Sequence, residues 1–188
     1  DSIVKENGTE QQADHAGAII GFATKKGEMV HARVASSFIS PEQALLNLKE
    51  LGNDDFNTLV EKGKEAWNNV LGKVEVEGGN LDQYRTFYSC LYRSLLFPRK
   101  FYEIDAQGQI VHYSPYNGEV VPGYMYTDTG FWDTFRCLFP LLNLIYPSVN
   151  KEIQEGLINT YKESGFFPEW KQLGFYFGGC LFQGCKGG

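Results

Sequence analysis

The apolar period of this chain switches abruptly at Ser40-Pro41, from alternation to helical spacing. That switch limits the fold to a β-module followed by helices. Before it, residues 18–23 (AIIGFA) are apolar, Lys25-Lys26-Gly27 reads as a hairpin turn, and Met29 to Ile39 alternates. Val30, Ala32, Val34 and Phe38 share one face, with His31, Arg33 and Ser37 on the solvent side. Two strands do not stand alone in water. They are therefore expected to be the last hairpin of a β-sandwich whose other strands lie upstream, following a polar loop over residues 1–17.

After the switch, Ser40 at the cap, Pro41 at the first helical position and Gln43 at the third make a strong helix start. Ala44, Leu45, Leu48 and Leu51 give its apolar face, and Gly52 ends it. A second helix starts at Asn53-Asp54-Asp55, with Phe56, Leu59, Val60, Trp67, Val70 and Leu71 expected inside and Gly72 as its stop. Glu61, Lys62, Lys64 and Glu65 form a solvated face. This helix pair reads as a linker. Past a joint at Gly78-Gly79, Asn80 and Gln83 resemble a capping box. Tyr84, Phe87, Tyr88, Leu91, Tyr92 and Leu95 then run as a core stripe to Pro98. Residues 99–122 lack helical period. A hairpin is expected from Tyr102–Ile104 and Gln109–Val111 around a turn at 105–108, followed by a loop at 113–118. So long an excursion between helices points to a site.

That site is read at Gly123 to Pro140 (GYMYTDTGFWDTFRCLFP). Thr127, Asp128 and Thr129 are all N-cap candidates, and Phe131, Phe135, Leu138, Phe139 and Leu142 recur at helical spacing. Asp128, Trp132, Asp133 and Arg136 gather beside that stripe at the helix's amino end, where carboxylates are favoured. An aromatic face next to carboxylates and an arginine suits a sugar, with ring C–H groups on the indole and hydroxyls on the charges. The competing reading is a capped helix with a buried tryptophan and a local Asp–Arg pair. Pro140 is expected to bend the helix and Pro147 to close it. Ser148 then caps a further helix carrying Ile153, Leu157, Ile158 and Tyr161, ended by Gly165. Beyond it, Phe167-Pro168-Glu169-Trp170 sets a second carboxylate–tryptophan pair on a loop.

Charge and composition exclude several classes. A net charge of −6 without any basic cluster argues against nucleic acid or an anionic membrane as partner. No apolar run is long enough to span a bilayer, and no signal peptide is legible. Cys90 and Cys137, in apolar helical contexts, read as buried free thiols. Cys180 and Cys185 lack the spacing and histidine partners of a zinc site.

The run from Gly123 to Leu142, together with Phe167 to Trp170, resembles glycoside hydrolase family 92, and the likeness extends over about residues 28–170. The resemblance implies an exo-acting, inverting, calcium-dependent α-mannosidase, α-1,2 linkages being the best known, of a kind common in gut Bacteroidetes. It implies an α+β multidomain fragment: the end of an N-terminal β-sandwich (1–39), a helical linker (40–78) and the first helices of an (α/α)6 barrel (79–170). It also implies an α-mannoside glycan as partner and a periplasmic, outer-membrane-surface or secreted location for the complete protein.

Asp128, Trp132, Asp133, Glu169 and Trp170 match family positions that build the mannose pocket, with Arg136 a weaker match that could serve only to fix Asp133. The family's reaction needs a carboxylic acid to protonate the leaving oxygen and a carboxylate to activate water across the ring. Calcium on the sugar O2 and O3 acts as a template. The sequence motifs for acid, base and calcium do not occur here, so Glu169 is read as a sugar contact and no catalytic residue or calcium ligand is assigned. Residues 171–188, Gly- and Cys-rich, depart from the family pattern and read as a premature end. The isolated chain is accordingly expected to be inactive. A non-catalytic carbohydrate-binding or interaction fragment is the alternative. Another inverting (α/α)6 glycosidase fits the TDTGFWDT run less well.

Overall fold

The computed structural model describes residues 8–10, 17–168 and 170–171. The chain divides into two units, one ending at Arg33 and the other beginning at Val34. In the first, the expected turn forms: the Glu28 amide donates to the Lys25 carbonyl at 3.0 Å, and Gly27 takes φ +87°. The hairpin does not. Residues 18–23 and 29–39 join no ladder, and Ile19, Ile20, Phe22 and Met29 stay exposed. Of the alternating apolar residues, Phe38 packs on Phe101 with ring centroids 4.4 Å apart, and a lone two-stranded ribbon is marginal.

In the second unit, helix α1 (Pro41–Leu48) starts as expected, with the Ser40 hydroxyl accepting the Gln43 amide at 3.1 Å. The Gln43 side chain, instead of closing a capping box, is buried and donates to the Ile104 carbonyl at 2.7 Å. A 3-10 turn (Lys49–Leu51) follows and ends at Gly52. Helix α2 (Phe56–Leu71) is capped by Asp55, and α3 (Leu81–Ser94) by a full Asn80–Gln83 capping box.

Burial of α2 is limited to Leu59 and its last turn. Val70 and Leu71 pack on the core, whereas Phe56 is 72% exposed and Val60 and Trp67 also face out. The expectation that Phe56, Val60 and Trp67 lie inside is thus corrected, although the Trp67 ring rests edge-on against Tyr92 of α3, centroids 4.5 Å apart. Cys90 and Cys137 are free and exposed, contrary to the buried thiols expected.

Between α3 and the later helices lie short antiparallel strands. Strand β1 (Arg99–Lys100) pairs with β5 (Tyr126–Thr127), Arg99 opposite Thr127. Strands β2 (Glu103–Ile104), β3 (Ile110–Tyr113) and β4 (Val120–Pro122) form one sheet with β3 central. The hairpin of β2 and β3 was legible from its turn. Strand β4 was not, because residues 113–118, read as a loop, are the turn that leads into it. The Gly118 amide closes that turn on the Ser114 carbonyl at 2.9 Å. Strand β6 (Thr129–Gly130) pairs with β7 (Trp170–Lys171), so Trp170 opens a strand rather than extending a loop.

The helix expected from residue 131 onward is two pieces, α4 (Phe131–Thr134) and α5 (Leu138–Ile145). Pro140 cannot donate to the Arg136 carbonyl and its ring crowds that carbonyl, so the ladder breaks over 135–137 instead of bending. Helix α6 (Pro147–Ser164) starts on Pro147, with Tyr146 rather than Ser148 at the cap, and ends on left-handed Gly165. Pro at the first position supplies the pre-set φ and needs no cap donor there.

The core gathers Leu91 from α3, Tyr126 from β5, Phe139 and Leu142 from α5, then Tyr146 and Ile153. The Tyr146 hydroxyl donates to the Val70 carbonyl at 3.1 Å and the Tyr88 hydroxyl to the Val74 carbonyl at 2.9 Å. These bonds tie the end of α2 to the core. Replacing Ile153, 2% exposed, by alanine is expected to cost about 2–5 kcal/mol. Phe56→Ala should stay within about 0.5 kcal/mol. Urea unfolding of the two variants checks where the core lies.

Candidate functional site

The segment 123–133 acquires its shape from what pairs with it on either side. Lys100 lies opposite Tyr126, and the Phe101 amide extends the ladder by donating to the Met125 carbonyl at 2.8 Å. Strand pairing thus holds residues 125–127. Asp128 then breaks the strand with φ +59°, a left-handed conformation that Asp adopts more readily than most side chains. Residues 129–130 resume a ladder, now with β7, Gly130 opposite Trp170.

This geometry overturns the cap assignment. Thr127 and Thr129 are buried strand residues and Asp128 is the link between them, while Gly130 takes the cap position without a side-chain bond. The backbone of 126–130 pairs with β1 and β7, which delays the helix to Phe131. The Thr134 hydroxyl donates to the Gly130 carbonyl at 2.8 Å.

The sequence-predicted residues then separate into two groups. Trp132, Asp133 and Arg136 are exposed, Trp132 by 54%. The Arg136 guanidinium lies 5.0 Å from the Trp132 ring centroid and 4.5 Å from that of Phe135. It stacks on rings rather than fixing Asp133, so the local Asp–Arg pair is not formed. The Asp128 side chain is only 14% exposed and is held by Arg99, whose Nε and Nη2 both donate to Asp128 Oδ2. Glu169 lies outside the described residues, as do Cys180, Cys185 and the tail. Of Trp170 the backbone is described, and its pairing brings that segment beside Gly130, two residues before Trp132.

Sequence reasoning missed Arg99. It sits on a two-residue strand, too short for any period to announce, and its partner is 29 positions away. It also missed Glu152 of α6, whose Oε2 accepts the Tyr126 hydroxyl at 2.8 Å and the Tyr102 hydroxyl at 3.3 Å. Burial, then the Glu152 hydrogen bond, pushes the Tyr126 phenol well above its ordinary value, so it remains a donor. Gly156 inside α6 was the legible signal, since a glycine mid-helix marks close packing. A Cβ there would lie 3.3 Å from the Tyr126 amide nitrogen.

No group of three or more His, Cys, Asp or Glu among the described residues could hold a metal ion. What the arrangement offers is recognition: an exposed indole and an exposed carboxylate on α4 and a guanidinium just after it, directly behind the paired strands β5 and β6.

Residues 43–180 match the catalytic-domain profile of glycosyl hydrolase family 92. The chain belongs to this family. An inverting family 92 mannosidase of Bacteroides thetaiotaomicron VPI-5482 is 56% identical, with a TM-score of 0.70 over 74% of this chain and 20% of its own. A family 92 α-mannosidase of Bacteroides thetaiotaomicron, solved with mannoimidazole, is 30% identical, with a TM-score of 0.64 over 72% of this chain and 18% of its own. An uncharacterized secreted glycosidase of Arthroderma benhamiae is 27% identical over 84% of this chain and 15% of its own length. The chain therefore spans a fifth or less of these relatives. Its mixture of helices and short strands is that of the matching part of the family 92 structures.

Thr129 Oγ1 is buried with no hydrogen-bond partner among the described residues, a cost of about 1–3 kcal/mol. Thr129→Val keeps the shape and the strand preference and removes the orphan hydroxyl. It is expected to raise the urea midpoint of the unliganded chain, by about 1 kcal/mol in stability.

Proposed function

We propose that this chain is part of an exo-acting, inverting α-mannosidase acting on α-mannoside glycans, α-1,2 linkages first, and that it supplies one wall of the mannose pocket. The observation that carries the reading is the β6–β7 pairing, which sets the Trp170 backbone opposite Gly130 and so beside exposed Trp132 and Asp133. In that reading the Trp132 indole takes the apolar C–H face of the sugar and Asp133 accepts from its hydroxyls. Arg136 stiffens the indole from behind. Glu169 and Trp170 are assigned to the same pocket by their match to the family pattern. Asp128, bound to Arg99, fixes the turn that presents Trp132, and any sugar contact it makes is through its small exposed edge.

The same reading assigns residues 1–39 to the end of a β-sandwich, 40–78 to a helical linker and 79–170 to the start of an (α/α)6 barrel. The break between units at Arg33 and the exposed Phe56 and Val60 of α2 support it. Proton donor, base and calcium belong to other parts of the complete enzyme, and the complete enzyme is exported. The partial spans shared with mannosidases and with a secreted glycosidase support these assignments. None of the described residues is given an acid, base or calcium role.

Titrating the chain with mannose and following tryptophan fluorescence tests the wall. Quenching that saturates in the parent and disappears in Trp132→Ala is expected. A signal unchanged by the substitution would remove Trp132 from the pocket. With an α-1,2-linked mannobiose and calcium, the isolated chain should release no mannose; release would show that the acid and base lie within it.

A further inference from the structure

His112 plays no part in the wall just described, and nothing in the sequence marked it. It is nevertheless fully buried at the centre of β3. Its Nδ1 faces the Gly123 carbonyl at 2.8 Å and its Nε2 faces Glu163 Oε1 at 2.9 Å. The ring thus bridges two elements: the end of β4, through Gly123, and the last turn of α6, through Glu163. The second carboxylate oxygen, Glu163 Oε2, is buried without a hydrogen-bond partner among the described residues, so this polar side chain depends on His112.

Gly123 is where β4 leaves the three-stranded sheet and the chain turns toward β5. Its φ of +114° favours glycine, and a Cβ there would lie 2.7 Å from Asn159 Nδ2. Its amide donates to the Ile110 carbonyl at 2.8 Å while its carbonyl is taken by His112. The next residues are gripped by α6. Asn159 Nδ2 donates to the Tyr124 carbonyl at 2.9 Å, and Gly156 lets Tyr126 approach. Gly156, Asn159, Thr160 and Glu163 stand at spacings of three, four and seven, one face of the helix. That face lies along the segment that ends in Asp128.

We propose that His112 is a positioning residue for the sugar wall: bridging Glu163 and the Gly123 carbonyl, it fixes where the 123–128 segment delivers Asp128, Gly130 and Trp132. The inference rests on the mannose-wall reading for its functional consequence, though the mechanical link stands on the hydrogen bonds alone. A histidine that merely filled the core would serve as well if both polar partners were replaced by apolar ones. Removing one partner strands a buried polar group, whereas removing both in matched shape is nearly neutral for stability.

The test uses the full chain as His112→Leu, Glu163→Leu and the double variant, with Glu163→Gln in case a leucine single variant does not fold. Two quantities are measured: hydrogen exchange at the Gly123 and Phe101 amides, and mannose affinity by tryptophan fluorescence. The double variant should recover the part of the urea midpoint that the single ones lose by stranding Glu163 or His112, but not the part lost with the bond to the Gly123 carbonyl. Its Gly123 and Phe101 amides should still exchange about tenfold faster than in the parent, and its mannose affinity should stay about tenfold weaker. Exchange in the core of α3 should be unchanged. A double variant that matches the parent in exchange and in affinity would overturn the proposal and leave His112 a core residue. A parent chain that binds no mannose would sink the wall reading instead; exchange at Gly123 and Phe101 would still decide whether His112 holds the segment.

Discussion

Helix α6 lies so close to the strand carrying Met125 and Tyr126 that a Cβ at position 156 would press at 3.3 Å on the Tyr126 ring and amide. Much of the second unit depends on that approach. From one side it buries Tyr126 and Ile153 with Leu142 and Tyr146, the centre of the core. From the other it fixes a strand that continues within two residues into the left-handed turn at Asp128. The polar bonds along the contact supply direction that apolar burial lacks: Glu152 to Tyr126, Asn159 to the Tyr124 carbonyl, Glu163 to His112. Core packing and site presentation therefore rest on the same interface, and a shift of α6 would disturb both.

Strain and exposure are concentrated where the chain meets the proposed ligand. Asp128 has a positive φ, Thr129 carries an orphan buried hydroxyl, and Trp132 leaves half its surface in water. Residues held in sparsely populated backbone regions persist when their surroundings over-determine them, and such positions cluster at functional sites. Arg99 and the two flanking ladders provide that over-determination here. The helix break ahead of Pro140 belongs to the same design. It leaves α4 short, with Arg136 in the interrupted stretch, where its guanidinium reaches both the Trp132 and Phe135 rings.

How much of this was legible depended on whether the cause was local. Caps were: Ser40, Asp55 and Asn80 start their helices, and Gly165 ends α6, because each acts on atoms a few residues away. The β2–β3 hairpin was legible from its turn. Thr127 and Thr129 look equally like caps in sequence, and only pairing with β1 and β7 decides that they are strands. The apolar pattern of α2 states that a face wants cover without stating whether cover is supplied. The period-two pattern of residues 29–39 likewise marks a preference for a sheet that the described residues do not provide. Of the site, the indole and carboxylate of Trp132 and Asp133 were visible as chemistry. Arg99 and His112 were not, since their partners lie 29 and 51 positions away.

The central claim is that the amino end of α4 and the strand opposite it form one sugar-facing surface. Amide chemical-shift mapping of the isotopically labelled chain during titration with methyl α-mannoside tests it most directly. The account predicts that the amides of Gly130, Trp132, Asp133 and Trp170 move together along one saturation curve while those of α2 stay fixed. Shifts confined to the exposed face of α2, or none near Trp132 at saturating sugar, would contradict it.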